Sequence, residues 1–342
     1  MPPPFRSPAP VPLRAPRRRP LVRRSLVAVA VVTAAATLTA GCGVRLETPP
    51  PPVVTLDAAE QVRAGAVVDA EAIAAAATAA AADPAAASVL DRLTQVATAS
   101  ASHVEALGGT WTAPEGQEPT DGPTAPAATT DLAGALATLQ LGYDDARAGL
   151  GEVSDGTSRL LVSVALWRAI AAHEIAAASG AATATPLPVG GVDTTALGLA
   201  SFRDVDPLVR GLDAAAFGYE VLAAGSDDAA RRSDWGSRAG ELRRTGDLLA
   251  SRAGATGASD PREAVYDVAS LLDADPVSAA VTLETEVARL WVGAALPGAT
   301  RGVALDAALE ALLRARALAP VGALDDPAVV LPGLTGEVPS AG

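Results

Sequence analysis

From Leu56 onward, Pro, Gly and Asp-Pro breakers cut the chain into eight apolar-periodic segments, near 57–82, 84–108, 131–151, 157–179, 207–224, 227–253, 277–296 and 299–318. Each has the length of a bundle helix, and none alternates with the two-residue period of a strand. Composition agrees. The 342 residues include 81 Ala and no Lys, and only 3% are aromatic, so the best helix former dominates while strand formers are scarce.

The connections carry more information than the segments. Asp83-Pro84 makes a tight turn, Gly109 to Thr130 a long link with four prolines, and Gly151 to Gly156 a tight turn again. The second half repeats this order with Gly225-Ser226, then Gly254 to Pro276, then Pro297-Gly298. Short, long, short is the connection pattern of a four-helix bundle with one crossover. An extended link of about 22 residues reaches roughly 70 Å, ample for a bundle about 35 Å long. The expectation is an all-α fold of tandem ferritin-like four-helix bundles with long second-to-third helix crossovers. They occupy 57–180 and 207–320, with a Pro/Gly linker at 181–206 and a tail at 321–342.

The N-terminus reads as an address. Residues 1–41 hold seven Arg and no acid, followed by an apolar run from Leu26 to Ala40. About 15 apolar residues fall short of the roughly 20 that span a bilayer, so 1–41 is predicted to be a signal peptide. The single Cys follows Leu38-Thr39-Ala40-Gly41 and resembles the lipobox of bacterial lipoproteins, which implies acylation of Cys42 as the first mature residue. Thr39 departs from the usual Leu. Arg23-Arg24 resembles a twin-arginine signal, leaving general and twin-arginine export both open. Residues 42–56, with Pro49 to Pro52 in a row, then form a stiff tether. Processing leaves 19 Arg against 39 acids, an excess of negative charge that argues against nucleic acid and against adsorption on anionic lipid.

The run Leu212-Asp213-Ala214-Ala215-Ala216-Phe217-Gly218-Tyr219-Glu220-Val221-Leu222, with Arg243-Arg244, Asp247-Leu248-Leu249, Leu283-Glu284 and Trp291, resembles the ferritin-like domain of uncharacterised actinobacterial lipoproteins. The resemblance covers roughly 207–318. It implies a fold and an envelope location, and no activity.

Candidate chemistry is sparse. A ferritin-like di-metal centre needs a Glu from each of two helices and Glu-x-x-His from the other two. The chain has only His103 and His173, preceded three residues earlier by Ser100 and Ile170, so no metal ligand set and no cofactor is expected. Two His and one Cys also exclude zinc ribbons and disulfide frameworks. Helical periodicity puts Glu284 on the inward face made by Val277, Val281, Ala288 and Trp291, with Tyr219 and Arg238 facing inward at similar height. A buried carboxylate needs partners, so Glu284, Tyr219 and Arg238 are the candidate core polar network. A structural network, a small-ligand pocket and a metal site remain three readings of that place. In the first half Asp69 is similarly inward, with Gln140 and Tyr143 opposite. Asp227-Asp228 read as first-turn carboxylates of the sixth helix, and Trp111 as a pin for the first crossover or an exposed contact for a partner. Val162, Leu166 and Ile170 widen the apolar stripe of the fourth helix, as an interface between the halves or a docking face for an envelope partner.

The function expected is a lipid-anchored extracytoplasmic membrane protein acting as a non-catalytic binding or structural module. The alternative is a metal-handling or redox enzyme with an atypical ferritin-like centre. Cys42→Ala is expected to release the protein from the membrane fraction or to leave unprocessed precursor. Fractionation and intact mass check this, and normal lipidation of the variant contradicts it.

Overall fold

The computed structural model describes residues 55–115, 117, 122–181, 205–255, 257–269, 273–294, 300–319, 331–332 and 334. The predicted signal peptide, the acylation site Cys42, most of the tether, nearly all of the 181–206 linker and most of the tail lie outside them. The chain divides between Pro51 and Pro52, so every described residue belongs to the second compact unit.

That unit is all helical among the described residues. The helices are α1 (Ala58–Ala80), α2 (Leu90–Ala106), α3 (Leu132–Gly149), α4 (Asp155–Ser179), α5 (Asp206–Gly225), α6 (Ala229–Ala253), α7 (Pro276–Gly293) and α8 (Arg301–Leu318). Their starts are written in short polar side chains that bond the orphan N–H groups of the first turn. Asp57 accepts from Glu60 N at 2.8 Å, Asp131 from Gly134 N at 2.7 Å and Asp275 from Ser278 N at 3.0 Å. Asp228 accepts from Ala230 N at 2.9 Å, which makes it the cap of α6 rather than a residue inside its first turn. Gly180 and Gly254 end α4 and α6 in the left-handed region, at φ +71° each. One segment departs from the expectation. The stretch from Pro84 opens as a six-residue 3-10 helix, Pro84–Val89, which buries Ala86 and Val89 before α2 begins.

α1 packs on α2 and on α3, and α4 on α3 and on α2, so the first four helices close a ring. Arg63 Nη1, near the start of α1, donates to Leu107 O at 2.6 Å and Gly109 O at 2.9 Å, just past the end of α2. Val62 lies against Gly149 at the end of α3. α1 therefore runs opposite to both α2 and α3, and the link joining α2 to α3 must travel the length of the bundle. The second half follows the same plan. α5 packs on α6 and α7, and α7 on α8. Gly211 of α5 faces Leu290 of α7, whereas Tyr219 reaches Ala280 O, so these two helices also run opposite ways. The link from α6 climbs along α5: Arg210 donates to Pro261 O at 3.0 Å, and Tyr266 to Asp213 at 2.9 Å.

The two bundles share one core. α4 is apolar enough to cross a membrane, but 83% of its most apolar window is buried in the protein. Its partners are α2 and α3 on one side and α7 and α8 on the other. Val162, Leu166 and Ile170 are buried, so the extra width of the α4 stripe serves the junction between the halves. Polar clasps ring that junction. Arg147 pairs with Asp306 at 2.7 Å, Arg301 caps Leu150 O at 2.6 Å and Val153 O at 2.9 Å, and Arg316 pairs with Glu174.

A methyl group added at Gly149 would press on the β-branched Val62, whose rotamer has little freedom. Gly149→Ala is expected to destabilise the protein by about 1–3 kcal/mol. Chemical denaturation checks this, with Val62→Ala relieving the clash in the double variant.

Candidate functional site

Glu284 lies midway along α7, on the face that also buries Ala280, Leu283, Val287, Ala288 and Trp291. Only 1% of it is exposed. A lone carboxylate there would cost several kcal/mol, and three neighbouring helices supply what offsets it. From α6, Arg238 makes a two-pronged contact, Nε to Oε1 at 2.8 Å and Nη2 to Oε2 at 2.7 Å. From α5, Tyr219 donates its hydroxyl to Oε1 at 2.8 Å. From α8, Glu310 approaches Arg238 Nη1 at 3.5 Å, and Arg314 holds Glu310 at 2.9 Å. Glu241 of α6 receives both Arg238 (3.2 Å) and Arg314 (3.2 Å). All four helices of the second bundle thus meet in one polar network, three carboxylates against two guanidiniums.

The fork geometry matches a planar guanidinium to a carboxylate, which a lysine could not do. Burial pushes the Tyr219 hydroxyl far up, and the adjacent Glu284 charge and hydrogen bond push further, so it stays a proton donor. Burial pulls Arg238 down, but hydrogen bonding to Glu284 and the charges of Glu284 and Glu310 outweigh it and raise its pKa. Arg238 is a fixed cation.

Tyr219, Arg238, Glu241, Glu284 and Arg314 form the floor of a cleft of about 430 Å³ between α6 and α8. Trp235, Val277, Ala317 and Leu318 make its apolar walls, and Asp234 and Arg231 stand among its polar lining residues. α6 and α8 meet across it through the Arg238–Glu310 and Arg314–Glu241 pairs.

The first bundle has a smaller polar centre. Arg168, in the middle of α4 and fully buried, donates to Gly142 O at 2.6 Å and Ala66 O at 2.9 Å, and lies 3.6 Å from Asp69. Gln140 and Tyr143, expected opposite Asp69, turn elsewhere, to Asp144 at 3.1 Å and Asp306 at 3.4 Å. Tyr143 is drawn to the junction with α8, and Arg168 takes the central place. Sequence reasoning missed Arg168, although one arginine amid the apolar run from Leu160 to Ile175 is a legible sign of a buried cation. Burial lowers Arg168 to about 10, against the pull of Asp69 and Asp145. Burial also raises Asp69 to about 6, with Arg168 opposing and Asp145 adding to the shift.

The residues do not fit a di-metal centre. Both oxygens of Glu284 are held by Arg238, and a guanidinium fills the space between Glu284 and Glu310 where a cation would have to sit. His103 packs edge-on to Trp167 with ring centroids 4.9 Å apart, and His173 is half-buried on α4. Among the described residues no three His, Cys, Asp or Glu side chains are grouped to hold a metal ion. Trp111 is half-buried in the first crossover.

Two outcomes are expected. Glu284→Ala strands the Arg238 charge and should cost about 3–5 kcal/mol in chemical denaturation, whereas Glu284→Leu with Arg238→Met should recover most of it. Asp69 is raised from 3.8 to about 6, so the folded protein holds a proton there that the unfolded chain has released. Its contribution therefore weakens stability as pH rises from about 4 to 6, by on the order of 1–3 kcal/mol. Unfolding free energies at pH 4.5 and 7 should show this fall in the native protein and lack it in Asp69→Asn.

No family model, no curated protein and no solved structure matches the chain, which leaves its reading to the geometry of the site itself.

Proposed function

We propose that the chain is a lipid-anchored protein of the extracytoplasmic face of the cell membrane whose ferritin-like bundles serve as a non-catalytic binding module. The observation that carries the binding role is the cleft between α6 and α8, about 430 Å³ in volume, with apolar walls over a polar floor. Its size lies in the range of small-molecule pockets, which combine apolar lining with a few fixed polar groups. Rigid floors favour binding because little order has to be imposed when a ligand arrives. The anchor rests on the charge order, apolar run and Cys42 of the N-terminus. The ferritin-like reading is supported by the ring of helix contacts in the first bundle and by links that lie against the first helix of each half, Thr110 on Glu71 and Pro261 on Arg210.

A metal-handling or redox role would need a central carboxylate free to ligate, and Glu284 gives both its oxygens to Arg238. No Gly-rich phosphate loop or nucleophile elbow occurs in the sequence.

Ala317 is exposed and lines the cleft without joining the ionic network, so Ala317→Trp fills the cleft and leaves its floor alone. Fragments that bind the native protein by ligand-observed NMR should lose binding in this variant at unchanged melting temperature. Binding that survives the filled cleft, or a library without a single binder, contradicts the proposal.

A further inference from the structure

The charge inventory of the cleft names a ligand class. Its lining carries Asp234, Glu241 and Glu284 against Arg231, Arg238 and Arg314, a balance in number, so what decides is how far each group is already engaged. The two arginines of the floor are committed. Arg238 is spent on Glu284, Glu241 and Glu310, and Arg314 is divided between Glu310 and Glu241. Arg231, exposed at the rim, leans to Asp228 at 3.8 Å. The acids keep capacity. Glu241 uses only Oε2 for the two guanidiniums, and Asp234 pairs with no arginine among the described residues. An anion at the floor would meet acceptor oxygens and guanidiniums already engaged, with Arg231 at the rim as its one loosely held cation. Trp235 adds an aromatic wall, a surface that attracts organic cations, and Val277 and Leu318 add aliphatic contact.

We infer that the cleft between α6 and α8 takes an organic ammonium ion, its charged head set against Glu241 and Asp234 and its compact apolar body against Trp235, Val277 and Leu318. This rests on reading the cleft as a ligand site. A hydrogen-bonded ammonium is recognised by acceptor oxygens at the floor, whereas the apolar body is recognised by shape, so head and body can be tested apart.

The test uses three probes with one body: cyclohexylmethylammonium, cyclohexylmethanol and cyclohexanecarboxylate. Calorimetry measures affinity, and tryptophan fluorescence compared with Trp235→Phe reports occupancy at the cleft. The ammonium should bind about tenfold or more tightly than the alcohol, with the carboxylate weakest. Glu241→Gln and Asp234→Asn, which leave the Arg238–Glu284 fork intact, should each weaken the ammonium several-fold and leave the alcohol unchanged. Equal or tighter binding of the alcohol or the carboxylate overturns the cation assignment while keeping the cleft as a ligand site. No binding by any of the three also overturns it, and the fragment comparison with Ala317→Trp then decides whether the ligand-site reading falls with it.

Discussion

The fork between Arg238 and Glu284 is the interaction on which the second bundle depends. A carboxylate at the centre of α7 is tolerated only if its charge is met, and the planar guanidinium meets both oxygens at once. That geometry fixes the register of α6 against α7, and Tyr219 extends it to α5. Because Arg238 also reaches Glu310, the same side chain sets how near α8 can approach α6. The cleft is the space left where ion pairs, rather than apolar side chains, join these two helices. Stability and pocket shape thus have a common cause.

The first bundle solves a related problem with less charge. Its helices are rich in alanine, which packs closely but fills little volume, and Arg168 with Trp167 supplies bulk at the centre of α4. Arg168 finds carbonyl oxygens on α3 and α1 and one carboxylate at 3.6 Å, an arrangement that leaves Asp69 poorly compensated. Its raised pKa follows. α4 is also the helix that holds the halves together, so it is buried nearly all round and reads as apolar on every face.

Helices were legible because their ends are chemical. Asp-Pro, Asp and Ser caps and the glycines after α4 and α6 mark boundaries within a few residues. The 3-10 start at Pro84 was not, since proline announces a helix without stating its pitch. Periodicity placed Glu284, Tyr219 and Arg238 on inward faces, and the reversed run of α7 against α5 brings them level. Glu310 and Arg314 carry only i,i+4 spacing in the sequence, and it is the placement of α8 that sets Glu310 against Arg238 and Arg314 against Glu241. Arg168 is not legible to metal-ligand chemistry, which marks carboxylates and imidazoles and passes over a guanidinium. The cleft has no sequence signature. It arises from the separation of two helices that are distant in the chain.

A closed ionic centre has a functional consequence. A four-helix centre can use inward carboxylates to hold metal, whereas here the cation between Glu284 and Glu310 is the side chain of Arg238, which under the proposed reading serves as a floor for binding. The most direct measurement is elemental analysis of the purified protein, prepared without chelator and again after iron or manganese loading. The account predicts metal well below one equivalent under both conditions. Near-stoichiometric metal that disappears in Glu284→Ala would contradict it.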